Sequence, residues 1–372
     1  MVDTFQPPER LLLGPGPTNV SPRVLEALSR PTIGHLDPAF LRMMDELRAL
    51  LQYVFRTRNP VTFVVSGPGT AGMEAAVVNL VEPGDKVVVC KNGYFGERLQ
   101  AMVERCGGQV IPVEFPWGRA VDPQKVEDTL KAHPDAKVVA CVHAETSTGA
   151  LSDVKTLAQV AHRYGALILV DAVTSLGGVP VEVDAWELDV VYSGSQKCLS
   201  CVPGLSPVTV NARAMEVIRR RRTPVQSWFM DITLLTAYWH GETRRAYHHT
   251  APVNVLYALH EALRVIQEEG LEAVWARHRR VYDMFRQGVE ALGLTYLTPE
   301  GERIPHLNVL QVPEGVDEAA LRRRLLTDFG VEIGGGLGRL AGKVWRIGLM
   351  GVNAHPRATL YALYALEQVL KP

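Results

Sequence analysis

Short apolar runs rich in β-branched residues alternate with longer amphipathic stretches through the first two thirds of the chain. The runs VTFVV (61–65), KVVVC (86–90), QVIPVEF (109–115) and AKVVACVH (136–143) read as buried strands, as do the first halves of ALILVDAVTS (166–175) and DVVYSGSQKCLS (189–200). Between them, 71–81, 94–105, 123–132 and a stretch reaching Tyr164, with Ser152 as its N-cap, carry helical spacing. Strands separated by helices of this length predict right-handed crossovers and a mostly parallel sheet, so 61–210 reads as one α/β layer system. Upstream, Phe40, Met43, Met44, Leu47, Leu50 and Leu51 mark a helix over 38–53. LLLGPGPTNVSP (11–22) is an extended arm, because Pro15, Pro17 and Pro22 break a helical ladder, and its three leucines need a place to bury. Downstream, 212–222 is helical, 223–250 is irregular and rich in aromatic residues, and 252–293 holds two helices divided near Gly270. Strands at 306–312, 331–335 and 343–351 with helices at 317–329 and 356–370 then describe a small α+β unit. The expected division is an N-terminal arm (1–20), a large domain (21–269) and a small C-terminal domain (270–372).

Composition narrows the function classes. Lys+Arg is 39 and Asp+Glu is 40, a formal net charge of −1, which argues against a nucleic-acid or membrane-surface role resting on bulk charge. No run is long enough to span a membrane, and MVDTFQPPERLLLGPGP lacks a secretory leader's apolar core, so the expected location is the cytoplasm. The five cysteines are an odd count suited to reduced, buried thiols. Cys198-x-x-Cys201 and the pair His248-His249 have no further ligand at metal spacing, and no metal is expected. The run Arg219–Arg222 reads as a solvated helix end whose charge suits the helix dipole.

The chemistry concentrates where strands end. In open α/β sheets, ligands sit beyond the carboxyl ends of the strands. Asp171 closes one apolar run and Lys197 follows another, among Gly194, Ser195, Gln196 and Pro203. A carboxylate and a lysine meeting in one crevice suit pyridoxal phosphate, the lysine to bond the aldehyde and the carboxylate to hold a proton on the pyridine nitrogen. A turn-forming Asp and a surface Lys are the alternative reading. SGPGT (66–70), between a strand and a helix, offers free backbone N–H groups to a phosphate, although a simple tight turn has the same letters. Neither it nor IGGGLG (333–338) has the spacing and context of a P-loop or dinucleotide motif. Arg346 lies inside an apolar strand and needs a partner, either an internal carboxylate or that of a substrate.

Together these stretches resemble a known family. LLLGPGPTNVSPRV (11–24), QYVFRTRNPVTFVVSGPGTAGMEAAVVNLVEPGD (52–85), ETSTG (145–149), LVDAVTSLGGVP (169–180), YSGSQK (192–197), YHHTAPV (247–253) and GGLGRLAGKVWRIGLMG (335–351) are similar to class V aminotransferases of fold type I, in particular the alanine–glyoxylate and serine–pyruvate type. The resemblance implies pyridoxal 5′-phosphate bonded to Lys197, which also moves the substrate proton, with Asp171 on the pyridine nitrogen. It implies Phe95 stacked on one ring face, Val173 packed on the other, and Thr146 bonded to the phenolic oxygen. Gly69, Thr70 and Gln196 would hold the phosphate, completed by Tyr247 and Thr250 from the other subunit of a homodimer. Arg346 would hold the substrate carboxylate. Phe95 stands where relatives often have tryptophan, and Pro68 where they have serine. The implied reaction moves an amino group from alanine or serine to glyoxylate or pyruvate by ping-pong kinetics. The alternatives are a related transaminase using aspartate, ureidoglycine, hydroxykynurenine or an aminophosphonate, a desulfurase, and a non-catalytic cofactor-binding protein. A desulfurase needs a late cysteine and a histidine before the lysine, whereas here no cysteine follows Cys201 and Gln196 precedes Lys197.

Overall fold

Seven strands make the main sheet of the computed structural model, which describes residues 2–240 and 245–371. Their order across the sheet is Val61–Ser66, Leu205–Val210, Val190–Tyr192, Leu167–Asp171, Val138–Val142, Lys86–Lys91 and Gln109–Glu114. The expected strands pair in parallel over the last five of these positions. Leu205–Val210 is an addition that runs antiparallel to both its neighbours. Its sequence, LSPVTV, hides it, because Pro207 removes a ladder donor and argues against an interior strand. The carbonyl of Pro207 still accepts from Ser193 N at 2.8 Å. Helices cover the sheet, and Met73, Ala76 and Val77 of Gly69–Leu80 are buried with the strands in one apolar core.

Three local expectations change. Pro22, read as a breaker, is the first residue of a helix, Pro22–Leu28, where its missing N–H is harmless and Ser21 caps the turn. Within the stretch read as irregular, Ile232–Trp239 is a helix capped by Asp231. Its sequence ITLLTAYW shows no amphipathic stripe, and Ile232, Leu235, Tyr238 and Trp239 are all buried. The helix Val154–Arg163 is capped by Asp153, whose Oδ1 accepts from Thr156 N at 3.1 Å. The Ser152 hydroxyl is engaged elsewhere, accepting from Val121 N at 3.1 Å.

The two long helices, Val253–Glu269 and Leu271–Ala291, part at Gly270, whose φ is +84°. The second passes from one core to another. Leu271 and Val274 pack with the main sheet, while Val281, Phe285 and Val289 join Trp345, Leu325 and Leu366. That second core lies on an antiparallel sheet of Leu307–Gln311, Val344–Gly348 and Gly334–Gly335. The arm leucines find their burial there: Leu11–Leu12 pairs in parallel with Val331–Glu332, and Leu13 is fully buried. In the arginine run, Arg221 Nη1 donates to the carbonyls of Asn79 (2.9 Å) and Val81 (3.0 Å), so it caps the end of Gly69–Leu80. No helix among the described residues is long and apolar enough to cross a membrane.

Candidate active site

The strand Leu167–Asp171 is buried along its whole length and ends on a carboxylate. Beside it, Tyr192 closes Val190–Tyr192 in register with Asp171. Asp171 Oδ1 accepts from Val173 N at 2.8 Å and Oδ2 from the Tyr192 hydroxyl at 2.9 Å. Burial raises the Asp171 carboxyl to about 6, although both hydrogen bonds favour its charged form. The chain then turns through Ser193–Gln196 to Lys197. Burial, with a smaller contribution from the charge of Arg346, lowers the Lys197 amine to about 8. Asp171 and Lys197 line one cavity of about 200 Å³, several times the roughly 30 Å³ share of one water.

Three other strand ends and the loops after them bring walls to this cavity. Val61–Ser66 leads into Gly69–Leu80, a helix whose N-terminus has no side-chain cap. Gly69 is required there, since a Cβ would come 2.9 Å from Val173 Cγ2. Lys86–Lys91 leads into Tyr94–Arg105, which carries Phe95. Val138–Val142 leads into the hairpin Ala144–Glu145/Ala150–Leu151, which presents Thr146. Gly69, Thr70, Phe95, Thr146, Val173 and Gln196 thus all line the cavity with Asp171 and Lys197. Arg346 is set just behind that wall. It is 7% exposed, and its Nε donates to Gly335 O at 2.7 Å and its Nη1 to Thr146 O at 3.5 Å. It forms no ion pair among the described residues, and burial lowers it to about 10. Tyr247 and Thr250 stand apart, exposed and off the cavity wall.

The family described as aminotransferase class-V matches residues 11–369. The chain belongs to the class-V aminotransferases. It is 42% identical over 366 residues to an alanine–glyoxylate aminotransferase of Rattus norvegicus, covering 98% of this chain and 88% of the relative. It is 37% identical to an (S)-ureidoglycine–glyoxylate transaminase of Bacillus subtilis, over 98% of this chain and 91% of the relative. The crystal structure of an alanine–glyoxylate aminotransferase from Nostoc sp. superposes with a TM-score of 0.97 at 48% identity, covering 100% of this chain and 98% of that one. The aminotransferase fold, enzyme class and family expected from the sequence therefore stand.

Several residues around the aminotransferase cavity escaped the sequence reading. The GPGP arm runs over Lys197, whose Nζ donates to the carbonyl of Pro15. Gly16 has φ +98°, and a Cβ there would lie 2.6 Å from Lys197 Nζ. Gly16→Ala should therefore cost about 1 kcal/mol or more of stability and weaken cofactor retention, readable as a lower Tm and faster cofactor loss on dialysis. Glu145, the first letter of ETSTG, is fully buried beneath the site. Its Oε2 accepts from Phe95 N (3.0 Å) and Gly96 N (3.3 Å), and its Oε1 from Ser147 N (3.0 Å) and Oγ (2.6 Å). It caps the helix that carries Phe95, a task that neighbouring letters cannot reveal because cap and helix are about 50 residues apart. Arg98, also on the cavity wall, lies one helical turn beyond Phe95.

Proposed function

We propose that this aminotransferase uses pyridoxal 5′-phosphate bonded to Lys197 to move an amino group from L-alanine, or L-serine, to glyoxylate or pyruvate. The observation that carries the reading is the convergence of Asp171 and Lys197 in one buried cavity, backed by a buried arginine with no ion pair among the described residues. The residues present fit the cofactor. Phe95 and Val173 supply apolar wall, and Gly69–Leu80 supplies an uncapped helix N-terminus with the Thr70 hydroxyl beside it. The Gln196 side-chain amide makes no hydrogen bond among the described residues, and its Oε1 is buried. Tyr247, 62% exposed, and Thr250, also exposed, are proposed to complete the site of a second copy in a homodimer. The proposed location is the cytoplasm.

When bound, the cofactor supplies an electron sink for the electrons left by the substrate Cα proton. The protein supplies the rest. Asp171 holds a negative charge in a dry place and stabilises a proton on the ring nitrogen. Phe95 and Val173 exclude water. Arg346 binds the α-carboxylate and so fixes which Cα bond faces Lys197. Lys197 would take the Cα proton and return it to the carbon on the other side of the amino nitrogen, which its lowered amine pKa permits near neutral pH. The names of the two relatives share glyoxylate as acceptor and differ in donor, which supports glyoxylate here and leaves ureidoglycine as the second donor to test. A desulfurase reading is disfavoured by the thiols: all five cysteines are buried, and burial pushes Cys198, beside Lys197, up to about 12.

Product formation tests the substrates. Purified protein with L-alanine and glyoxylate should yield pyruvate and glycine, and a pair that reacts faster with another donor overturns the alanine assignment. Arg346→Ala should lower kcat/KM for the amino acid about 10- to 100-fold, the worth of a hydrogen-bonded charge at roughly 1.5–3 kcal/mol. An unchanged value removes Arg346 from the carboxylate site. The Lys197 amine gives a pH prediction. Protonation blocks its attack on the cofactor aldehyde, so covalent capture by the apoprotein should quicken about tenfold per pH unit below about 8 and level off above it. Stopped-flow absorbance reads this directly, and a flat profile from pH 6.5 to 9 contradicts it.

A further inference from the structure

We propose that Arg98 is a positioning residue for the phosphate of the cofactor and that it acts through Thr70. The inference rests on the cofactor reading above and deepens it. Arg98 Nη1 donates to Thr70 Oγ1 at 3.0 Å. A threonine hydroxyl has two acceptor lone pairs and one proton. With one lone pair taken by Arg98, the proton remains to be given away. In a helix, that proton can bond back to a carbonyl one turn earlier, but among the described residues the Thr70 hydroxyl donates no such bond, its one hydrogen bond there being the one it accepts from Arg98. The Thr70 hydroxyl, on the rim of the cavity it lines, is thus left free to donate to an anion at the uncapped N-terminus of Gly69–Leu80, where an anion is already favoured.

Arg98 is itself fixed in place. Its guanidinium carbon lies 4.8 Å from the centre of the Phe95 ring and 5.5 Å from that of Tyr94. It forms no ion pair among the described residues, and its charge acts on Asp171 across the cavity. The side-chain hydrogen bond of Arg98 goes to Thr70, and its guanidinium also stacks over Phe95 and Tyr94.

The test compares pyridoxal phosphate with pyridoxal, which has the same ring and aldehyde but no phosphate. Dissociation constants for both are measured by absorbance on apoprotein carrying Arg98→Met, Thr70→Val, or both, next to wild type. Arg98→Met keeps bulk over Phe95 and removes the N–H donor and the charge. The expected result is a preference for the phosphorylated ligand about tenfold smaller than in wild type, with pyridoxal affinity moved less than about twofold. Thr70→Val should show a loss of similar size, and the double variant little more than either single one. Equal losses for both ligands would reveal a merely structural role and overturn the proposal. So would an unchanged preference, or a double variant whose loss is the full product of the two single losses. Wild-type protein that captures neither aldehyde overturns the cofactor reading itself, an outcome distinct from these.

Discussion

Lys197→Ala is expected to reduce amino transfer by at least about 10⁴-fold, the upper range of what one positioned acid–base group contributes, while the protein stays folded and still binds pyridoxal phosphate non-covalently. The reason lies in how many tasks meet on one atom. On the proposed reading, the Lys197 Nζ both bonds the aldehyde and carries a proton between two carbons. Its surroundings disfavour the charged amine relative to water: burial and the Arg346 charge lower it to about 8, and the Pro15 carbonyl accepts its hydrogen bond. Removing the side chain relieves that desolvation, so thermal stability should hold or rise at neutral pH. For a lysine lowered in the folded state, the cost is present below about pH 8 and fades as pH rises toward the ordinary lysine range. Added methylamine or ethylamine should restore part of the rate if proton transfer is the lost step. A variant that keeps a tenth of wild-type turnover would remove Lys197 from the mechanism.

Asp171→Asn should lower kcat/KM by about 10²- to 10⁴-fold, the scale of removing one partner from a buried charge pair at roughly 3–5 kcal/mol. The substitution keeps shape and can keep one of the two hydrogen bonds, to Val173 N or the Tyr192 hydroxyl. What it loses is negative charge 4% exposed to solvent. Without a cation opposite, that charge is uncomfortable, which is why burial raises Asp171 to about 6. A carboxyl raised in the folded state lowers stability as pH rises through about 4 to 6, and the deficit persists above. Apoprotein carrying Asp171→Asn should therefore melt at the same temperature as wild type or higher at pH 7.5 while losing activity. Activity unchanged at that pH would contradict the assignment of Asp171 to the ring nitrogen.

The legible parts of this protein were those whose signal is local. Apolar β-branched runs ending in Asp171 or in the Ser193–Gln196 turn name both the strand and the wall it serves, because the sheet is buried on both faces. The strand Leu205–Val210 was illegible because Pro207 contradicts its neighbours' propensity, and tertiary pairing with two strands overrides it. The helix Ile232–Trp239 was illegible for the opposite reason, being apolar on nearly every side. In the site, Lys197 and Asp171 can be read from their own neighbourhoods. Glu145, Pro15 and Arg98 cannot, since each matters through a partner distant in sequence: Phe95 N for Glu145, Lys197 for Pro15, Thr70 for Arg98. Tyr247 and Thr250 gain meaning only if a second copy brings them to the cavity, which a single chain does not display.

The most direct measurement is the visible absorption spectrum of the purified protein loaded with pyridoxal phosphate, taken during additions of one substrate at a time. The account predicts a visible band that Lys197→Ala lacks, that fades as L-alanine is added without acceptor, and that releases about one pyruvate per site. Glyoxylate alone should then restore the band and release glycine. A band that no amino acid bleaches would leave the cofactor in place and refute amino transfer from these donors. Absence of any band after incubation with pyridoxal phosphate would contradict the role given to Lys197 and the mechanism built on it.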